Sequence, residues 1–346
     1  MSAPPPVSVV MSVYNGQRFL REAITGLLDQ SLGDFEFIIV DDGSTDESSA
    51  ILAEYAKIDG RIKLYRQENQ GLIASLNKGC SIAKGKYIAR MDADDVSLPM
   101  RLEKQVRYME NHPSIGILGT WLRIIDNKGR LGPPWRAPTT PGAVKWALMF
   151  ENCLAHPTIM MRREVFECLG SYNPEAVNVE DYDLWVRATK LTQLANIPEV
   201  LLKRRDWEGS ICSTNFQAQE THVLKTMQSM IAPLIKSNVS ADSINSLRQI
   251  NLGNHSLLTS LGQINTAAAL IQRLYSAYIR ATPLSKREIR EIDRNVGKKL
   301  YTLALAANKL STRRSLAFFM LAFRLDHRLF FSAIKTGTRA LAGKPI

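Results

Sequence analysis

Strand-like and helix-like stretches alternate through the first half of this 346-residue chain, and this alternation restricts its fold more than any other feature. Residues 7–13 form a β-branched run that predicts a buried strand, and residues 17–29 carry apolar side chains at helical spacing. Further strands are predicted at 35–40, 61–65 and 86–91, each separated from the next by a helical pattern. This order is typical of a mostly parallel sheet flanked by helices, so we predict an α/β fold.

Polar loops follow the predicted strands. Residues 41–44 (DDGS) follow the second strand, and residues 92–95 (DADD) follow the fourth. Ligands of open α/β sheets bind at the carboxyl ends of the strands, so these loops are expected to share one site. A carboxylate cluster after a buried strand is costly without a counter-charge, and Mg²⁺ or Mn²⁺ prefers such oxygen ligands. The DADD loop therefore predicts a divalent-metal site, with an acidic turn that caps the next helix as the plain alternative.

The C-terminal third differs from the rest in charge and pattern. Up to Asn215 the chain holds 25 Lys and Arg and 27 Asp and Glu, whereas the remainder holds 19 and 6. The net charge of +11 therefore resides in the last third, where only amphipathic helical patterns occur. Basic and aromatic residues interleave between Arg313 and Arg339, which favours either docking on an anionic bilayer or a helical bundle with a basic face. No nucleic-acid recognition motif accompanies the charge, so nucleic-acid binding is not expected.

The composition is that of an ordinary globular protein. The sequence shows no apolar stretch long enough to span a bilayer, no N-terminal signal pattern, and no C-x-x-C pair among its four cysteines. These features predict a cytoplasmic protein with reduced thiols, and they leave peripheral attachment to the inner face of the plasma membrane open. The prolines and glycines of residues 129–141 predict a loop. Pro99 is predicted to lie in the first turn of a helix that runs to about residue 111.

Four segments in order resemble the landmarks of family 2 glycosyltransferases: residues 7–16 (VSVVMSVYNG), 40–46 (VDDGSTD), 92–95 (DADD) and 180–185 (EDYDLW). Residues 67–71 (QENQG) and 156–158 (HPT) further resemble the bacterial cell-surface-polysaccharide branch of that family. The similarity extends over roughly residues 7 to 212. It implies the GT-A fold, a nucleotide-sugar donor and inversion of the anomeric centre.

The resemblance implies that the first two loops bind the nucleotide-sugar. Ser12, Tyr14 and Asn15 would offer the base an aromatic face and polar groups. Asp42 would accept a hydrogen bond from a pyrimidine imide N–H, and Asp41 would face the ribose. A UDP-sugar is the favoured donor, although thymine presents the same imide. A turn with a helix cap is the alternative for the DDGS loop, and the two interpretations are compatible.

The resemblance also assigns roles to the two acidic motifs. Asp94 is the expected direct metal ligand, and Asp92, which lies on the same side of an extended segment, binds either the metal or the ribose. Asp95 either supports these ligands or caps the following helix. Inverting transfer needs a base that takes the proton from the acceptor hydroxyl. The resemblance gives this role to Asp181, with Glu180 orienting the acceptor or Asp181 itself.

Three further residues are expected near the acceptor or the diphosphate. His156 matches the family there, with a structural hydrogen bond as an equal alternative. Arg204 and Arg205 could pair with diphosphate oxygens, since guanidinium matches phosphate geometry. Some family members carry a histidine a few residues before a Ser-Ile-Ser-like segment, where this chain has Trp207. An indole cannot coordinate metal, so a third protein ligand is left open.

Two domains are expected from these observations: a GT-A catalytic domain at 1–215, and a basic helical region at 216–346 that serves membrane docking, bundle packing or oligomerisation. The expected activity is metal-dependent, inverting transfer of a hexose or related sugar to a hydroxyl of a polysaccharide or polyprenyl-diphosphate-linked acceptor. A non-catalytic, membrane-associated scaffold with the same fold is the alternative. A nucleotidyltransferase is disfavoured because residues 14–16 (YNG) replace its usual Gly-rich basic loop.

Overall fold

The computed structural model describes residues 4–208 and 216–329, which divide into two compact units. One unit comprises Met1–Val144 and Asn152–His222, and the other comprises Lys145–Glu151 and Val223–Ile346. The segment at residues 210–212, which stands in the place of the Ser-Ile-Ser-like element, lies outside the described residues.

The first unit is built on one nine-stranded sheet. Its strands in chain order are β1 (Val7–Val13), β2 (Phe35–Asp41), β3 (Ile62–Arg66), β4 (Tyr87–Met91), β5 (Val96–Ser97), β6 (Ile115–Ile125), β7 (Leu131–Trp135), β8 (Met160–Arg162) and β9 (Gln193–Arg205). The helices over the same stretch of chain are α1 (Gln17–Leu28), α2 (Ser48–Ile58), α3 (Leu72–Ser81), α4 (Arg101–Asn111), α5 (Pro141–Ala147), α6 (Arg163–Leu169) and α7 (Glu180–Ala188). A 3₁₀ turn (His156–Thr158) precedes β8.

The strand order is β3-β2-β1-β4-β8-β6-β9-β5, with β7 paired to β6. Strand β1 pairs in parallel with β2 and β4, and β2 pairs in parallel with β3. The carboxyl ends of these strands therefore lie along one edge, as predicted. Beyond β4 the sheet is mixed: β8 is antiparallel to β4 and β6, whereas β9 is parallel to β6. The predicted α/β fold is confirmed.

A close-packed core supports that edge. Strand β1 is buried along nearly its whole length, and α1 packs an apolar stripe that includes Leu20, Ile24 and Leu27 against the sheet. Each fully buried side chain of this kind contributes roughly 1.5–3 kcal/mol relative to an exposed one. The loops at the carboxyl ends of β1, β2 and β4 are therefore attached to strands that the core holds firmly in place.

Two local predictions were wrong, and one strand was missed. The predicted loop at 129–141 contains β7, whose prolines are tolerated because β7 pairs with β6 alone. Helix α4 begins at Arg101, so Pro99 precedes its first turn. Strand β9 was not expected at all. Its sequence pattern is broken by Pro198 and Glu199, where the pairing with β6 shifts register.

The second unit is helical throughout its described part, as predicted. Its helices are α8 (Phe216–Ile235), α9 (Ala241–Asn251), α10 (Leu261–Ala281), α11 (Lys286–Asn308) and α12 (Thr312–Leu325), with a 3₁₀ turn at His255–Leu257. Serine side chains cap α9 to α12 at their first turns, a standard helix-start arrangement. None of the helices in the described residues is long and apolar enough to cross a membrane. Lys335 and Arg339 of the predicted basic surface lie outside those residues.

A buried polar network ties the segment Lys145–Glu151 to the helices of the second unit. The Lys299 ammonium donates to the Oδ1 atoms of Asn251 and Asn295, at 2.7 Å each. Asn251 donates in turn to Glu151, and Asn295 accepts from the indole of Trp146. Burial lowers the pKa of Lys299 to about 8, and the negative charge of Glu151 opposes that shift.

Candidate functional site

The loop after β1 is joined to the loop after β2. Asn15 adopts the left-handed backbone region (φ 50°), which asparagine tolerates better than most residues. Its side-chain oxygen accepts from the backbone N–H of Thr45 at 2.8 Å, and its own N–H donates to Ser44 Oγ at 3.1 Å. Beside it, Tyr14 is 52 % exposed. Asn15 therefore holds the two loops together, while Tyr14 is available to a planar ligand.

Asp42, the predicted base reader, is buried and closes the loop before α3. Its carboxylate accepts from Gln67 Nε2 at 2.7 Å, from the N–H of Gln70 at 3.0 Å and from the N–H of Gly71 at 2.8 Å. A carboxylate can accept about four hydrogen bonds, so protein donors occupy three of these positions. The structure thus shows a positioning function for Asp42 that the sequence did not reveal.

Asp41 is buried at the end of β2. Its carboxylate accepts from the N–H of Ser44 at 3.1 Å and from the hydroxyl of Ser49, and it lies 3.9 Å from the guanidinium of Arg66. Ser12 lies next to this strand end, because it pairs with Val40 in the β1–β2 register. All the residues predicted to bind the nucleotide from these two loops therefore lie at one edge of the sheet.

The DADD loop brings three carboxylates together. One oxygen from each of Asp92, Asp94 and Asp95 lies within 4.8 Å of the others. Asp92 forms an ion pair with the buried Arg90, whereas Asp95 is buried and its Oδ2 has no partner in the described part of the chain. Burial, followed by repulsion from Asp92, raises the pKa of both Asp94 and Asp95. A cluster with this excess of negative charge, including an orphaned carboxylate oxygen, fits a divalent cation.

The end of β9 braces this acidic loop. The N–H of Arg205 donates to Asp95 Oδ1 at 2.8 Å, and its guanidinium donates to the carbonyl of Asp94 at 3.0 Å and to Glu22 at 2.5 Å. Because Arg205 is buried and directed at protein acceptors, we assign it a structural role instead of the predicted diphosphate contact. Arg204 is exposed and stays the candidate for that contact. Trp207 donates its indole N–H to Asp94 Oδ2 at 2.9 Å.

The Glu180–Asp181 pair opens α7. Asp181 is partly exposed and accepts from Asn152 Nδ2 at 2.7 Å and from the N–H of Tyr182 at 2.6 Å. Burial raises its pKa to about 6. Glu180 is buried, and burial together with the charge of Asp181 raises its pKa to about 7. Of the two carboxylates, Asp181 is the one that two hydrogen bonds hold in a fixed orientation.

His156 lies behind this pair. It is buried, its Nε2 is 2.9 Å from the hydroxyl of Tyr172, and its Nδ1 is 3.8 Å from Glu180 Oε1. Burial and the nearby positive charge of Arg90 hold its pKa well below the usual value, so the ring is neutral. His156 thus makes a structural hydrogen bond to Tyr172, which is the alternative weighed above, whereas its distance to Glu180 is too long for a hydrogen bond.

Arg90 links the two acidic motifs. Burial raises the pKa of Asp94, Asp95, Glu180 and Asp181, and the positive charge of Arg90 opposes the rise in all four. The motifs are about 90 positions apart in the sequence, yet they share one electrostatic environment. Sequence reasoning missed Arg90, Asn152 and Tyr172. Of these three residues, only Arg90 could have been recognised from the sequence as a candidate site residue, because it is the one charged residue in the buried strand β4.

The comparisons with known proteins identify the family and the fold. The model of glycosyl transferase family 2 matches residues 8–170. The chain is 37 % identical over 182 residues to the O-antigen biosynthesis glycosyltransferase WbnJ of Escherichia coli, a match that covers 52 % of this chain and 70 % of WbnJ.

Two solved structures share the fold. One is S. aureus TarS 1–349 in complex with UDP-GlcNAc, with a TM-score of 0.57, 18 % identity, and coverage of 88 % of this chain and 91 % of TarS 1–349. The other is the mannosyltransferase PcManGT of Pyrobaculum calidifontis in complex with GDP-Man and Mn²⁺, with a TM-score of 0.52, 17 % identity, and coverage of 93 % and 86 %. The fold is GT-A, and the chain belongs to glycosyl transferase family 2.

Proposed function

We propose that this glycosyltransferase is metal-dependent and inverting, and that it moves a hexose or related sugar from a nucleotide-sugar to a hydroxyl of a lipid-linked or polysaccharide acceptor. The observation that carries the proposal is the arrangement around Arg90. Its guanidinium pairs with Asp92 of the DADD cluster, and its backbone N–H donates to the carbonyl of Ile159 at 2.9 Å, next to the turn whose His156 lies 3.8 Å from Glu180. Inverting transfer needs both functions in one place, a counter-charge for the leaving diphosphate and a base on the opposite side of the sugar.

Asp181 is the proposed base. Its partly exposed carboxylate would accept the proton of the acceptor hydroxyl as that oxygen attacks the anomeric carbon, and the bond to the nucleoside diphosphate breaks. Asn152 and the N–H of Tyr182 fix the orientation of the carboxylate. A pKa of about 6 suits the role, because the group is ionised at neutral pH and is a stronger base than an ordinary aspartate.

Asp94 and Asp92 are the proposed ligands of Mn²⁺ or Mg²⁺, with Asp95 behind them. When bound, the cation would neutralise negative charge on the departing diphosphate. The cluster fits such an ion because its carboxylates are close together and Arg90 compensates only part of their charge. The Mn²⁺ in the PcManGT complex supports this assignment.

A UDP-sugar is the favoured donor. Tyr14 is exposed, and the carboxylate of Asp42, which accepts from three protein donors, would also accept from an imide N–H of uracil. The UDP-GlcNAc complex of TarS supports this choice, whereas the GDP-Man complex of PcManGT shows that the same fold also accepts a guanine nucleotide. The name of WbnJ, which places it in O-antigen biosynthesis, supports a cell-surface glycan as the acceptor.

The alternative proposal is a scaffold that retains the fold without catalysis. The placement of Asp181, partly exposed and held by two hydrogen bonds, argues against it. Product analysis tests the proposed reaction directly. A donor with an α-linked nucleotide should give a β-linked product, observed as the anomeric proton coupling in nuclear magnetic resonance. An α-linked product would contradict the inverting mechanism, and absence of product with every donor would favour the scaffold.

Membrane attachment is a separate proposal. Helix α12 exposes the apolar side chains of Leu316 and Met320 together with Arg313 and Arg324, and residues 294–325 contain no Asp or Glu. Such a surface is attracted to anionic lipid. We expect cosedimentation with phosphatidylglycerol vesicles that weakens at high salt, because salt screens exposed charges.

Replacing Leu316 and Met320 together by serine should reduce this cosedimentation. The matched control is serine at Leu252 and Leu257, which are exposed apolar residues of the same unit. If the intact protein does not bind vesicles, the helices act as a bundle only. If both double variants bind as well as the wild type, Leu316 and Met320 do not form the docking surface.

A further inference from the structure

Trp207 donates a hydrogen bond to Asp94, and the proposed reaction gives this bond no role. The indole Nε1 lies 2.9 Å from Asp94 Oδ2, on the carboxylate that we propose as the principal metal ligand. Trp207 lies two residues beyond the end of β9, and Arg205 at that end already binds the backbone of the same loop. The end of β9 therefore fixes both the main chain and the side chain at position 94.

The indole ring is itself held in place. It makes an edge-to-face contact with Phe19 of α1, with ring centroids 5.4 Å apart and planes at 73°. The guanidinium of Arg18 lies over the ring at 5.6 Å, and that of Arg205 lies over Phe19 at 4.2 Å. Aromatic and cation–π contacts of these geometries are favourable. A donor that is clamped in this way restricts the rotation of the carboxylate it binds.

The chemistry of indole limits what Trp207 can do for the ion. An indole N–H donates and has no lone pair for a metal, so the residue cannot be a ligand. A hydrogen bond to one oxygen of a carboxylate leaves that group acceptor capacity for a cation. Groups that hold metal ligands in this manner contribute substantially to affinity, and their loss typically weakens metal binding 10–100-fold.

We propose that Trp207 is a positioning residue for the divalent cation, which orients Asp94 through its indole N–H and thereby raises the affinity of the acidic cluster for Mn²⁺ or Mg²⁺. The proposal rests on the proposed metal dependence of the site. It gives Trp207, which cannot be a ligand, a way to support the metal through Asp94.

The test is a titration of the purified full-length protein with Mn²⁺ in the presence of saturating UDP, with free Mn²⁺ measured by electron paramagnetic resonance. Trp207→Phe keeps an aromatic ring against Phe19 but removes the N–H. We expect its Mn²⁺ dissociation constant to rise about 10–100-fold. The matched control is Trp121→Phe, which removes an indole hydrogen bond to the carbonyl of Ala137 in the same unit. The control should stay within about twofold of the wild type, since Trp121 does not touch the acidic cluster.

The outcomes separate this inference from the proposed function. Tight binding by the wild type and by Trp207→Phe alike would overturn the role of Trp207 and leave the metal site intact. No binding by the wild type would refute the metal dependence itself. If Trp207→Phe does not fold, tryptophan fluorescence of the wild type and of Trp121→Phe gives the second test. The emission maximum of both proteins should shift when Mg²⁺ is added in the presence of UDP. An emission maximum that stays unchanged while Mg²⁺ binds would overturn the proposal.

Discussion

Replacing Asp181 by asparagine should lower the rate of sugar transfer by about 10²–10⁴-fold, the usual contribution of a general base. Binding of the nucleotide should change little, because Asp181 is assigned to the acceptor. Steady-state kinetics and a separate titration with UDP measure the two quantities. Asp183→Asn is the matched control. Asp183 lies in the same first helical turn but pairs with Arg187 at 2.8 Å, so its loss should leave turnover nearly unchanged.

The rate of sugar transfer by the wild type should depend on pH through the ionisation of Asp181. Asp181 has a pKa of about 6 and Glu180 of about 7, and the two interact, so the apparent values belong to the pair. A base must be ionised, so the rate should fall as the pH drops below about 7 and approach a tenfold loss per pH unit. A flat profile from pH 5 to 8, or near-normal turnover by Asp181→Asn, would exclude Asp181 as the base.

The same pair makes a predictable contribution to stability. Folding raises both pKa values, so between about pH 4 and pH 7 the folded protein binds more protons than the unfolded chain. The contribution of the pair to the free energy of unfolding therefore decreases as the pH rises through this window. Catalytic centres commonly lower the stability of the folded protein at the pH where the enzyme is active.

Removal of the metal should lower the rate of sugar transfer about as much as Asp181→Asn does. An electrophilic cation contributes several kcal/mol to the transition state, and about 1.36 kcal/mol corresponds to a tenfold change in rate. We therefore expect chelation to lower transfer at least about 10²-fold, and added Mn²⁺ to restore it. Asp94→Ala should show the same loss without chelator. In thermal denaturation, UDP should stabilise the wild type when Mn²⁺ is present, because ligands stabilise the state that binds them.

The control for Asp94→Ala is Asp126→Ala, at a partly exposed aspartate that follows β6 and pairs with Arg130 outside the acidic cluster. Asp94→Ala should lose the Mn²⁺-dependent stabilisation by UDP, and Asp126→Ala should keep it. Equal stabilisation of both variants would remove Asp94 as a ligand. A wild type that no nucleotide stabilises would instead count against the donor site as a whole and favour the scaffold.

The first strands and their polar loops could be predicted because their signals are local. The β-branched run of β1 and the acidic residues that end β2 and β4 are adjacent in sequence to the strands that carry them. Parallel pairing then brings the ends of those strands to one edge without further information. The helices of the C-terminal third were equally accessible, since their apolar spacing and serine caps also lie within single segments.

The α/β architecture, the acidic loops and the resemblance to the family could all be recognised from the order of the amino acids, because each depends on residues that are neighbours along the chain. Folding was needed to bring Arg90 to both acidic motifs, Asn152 to Asp181 and Trp207 to Asp94. These pairings join residues 29 to more than 100 positions apart. Their geometry depends on the path of β9 and the placement of α7, and hydrophobic periodicity carries no information about which polar side chains meet across such distances.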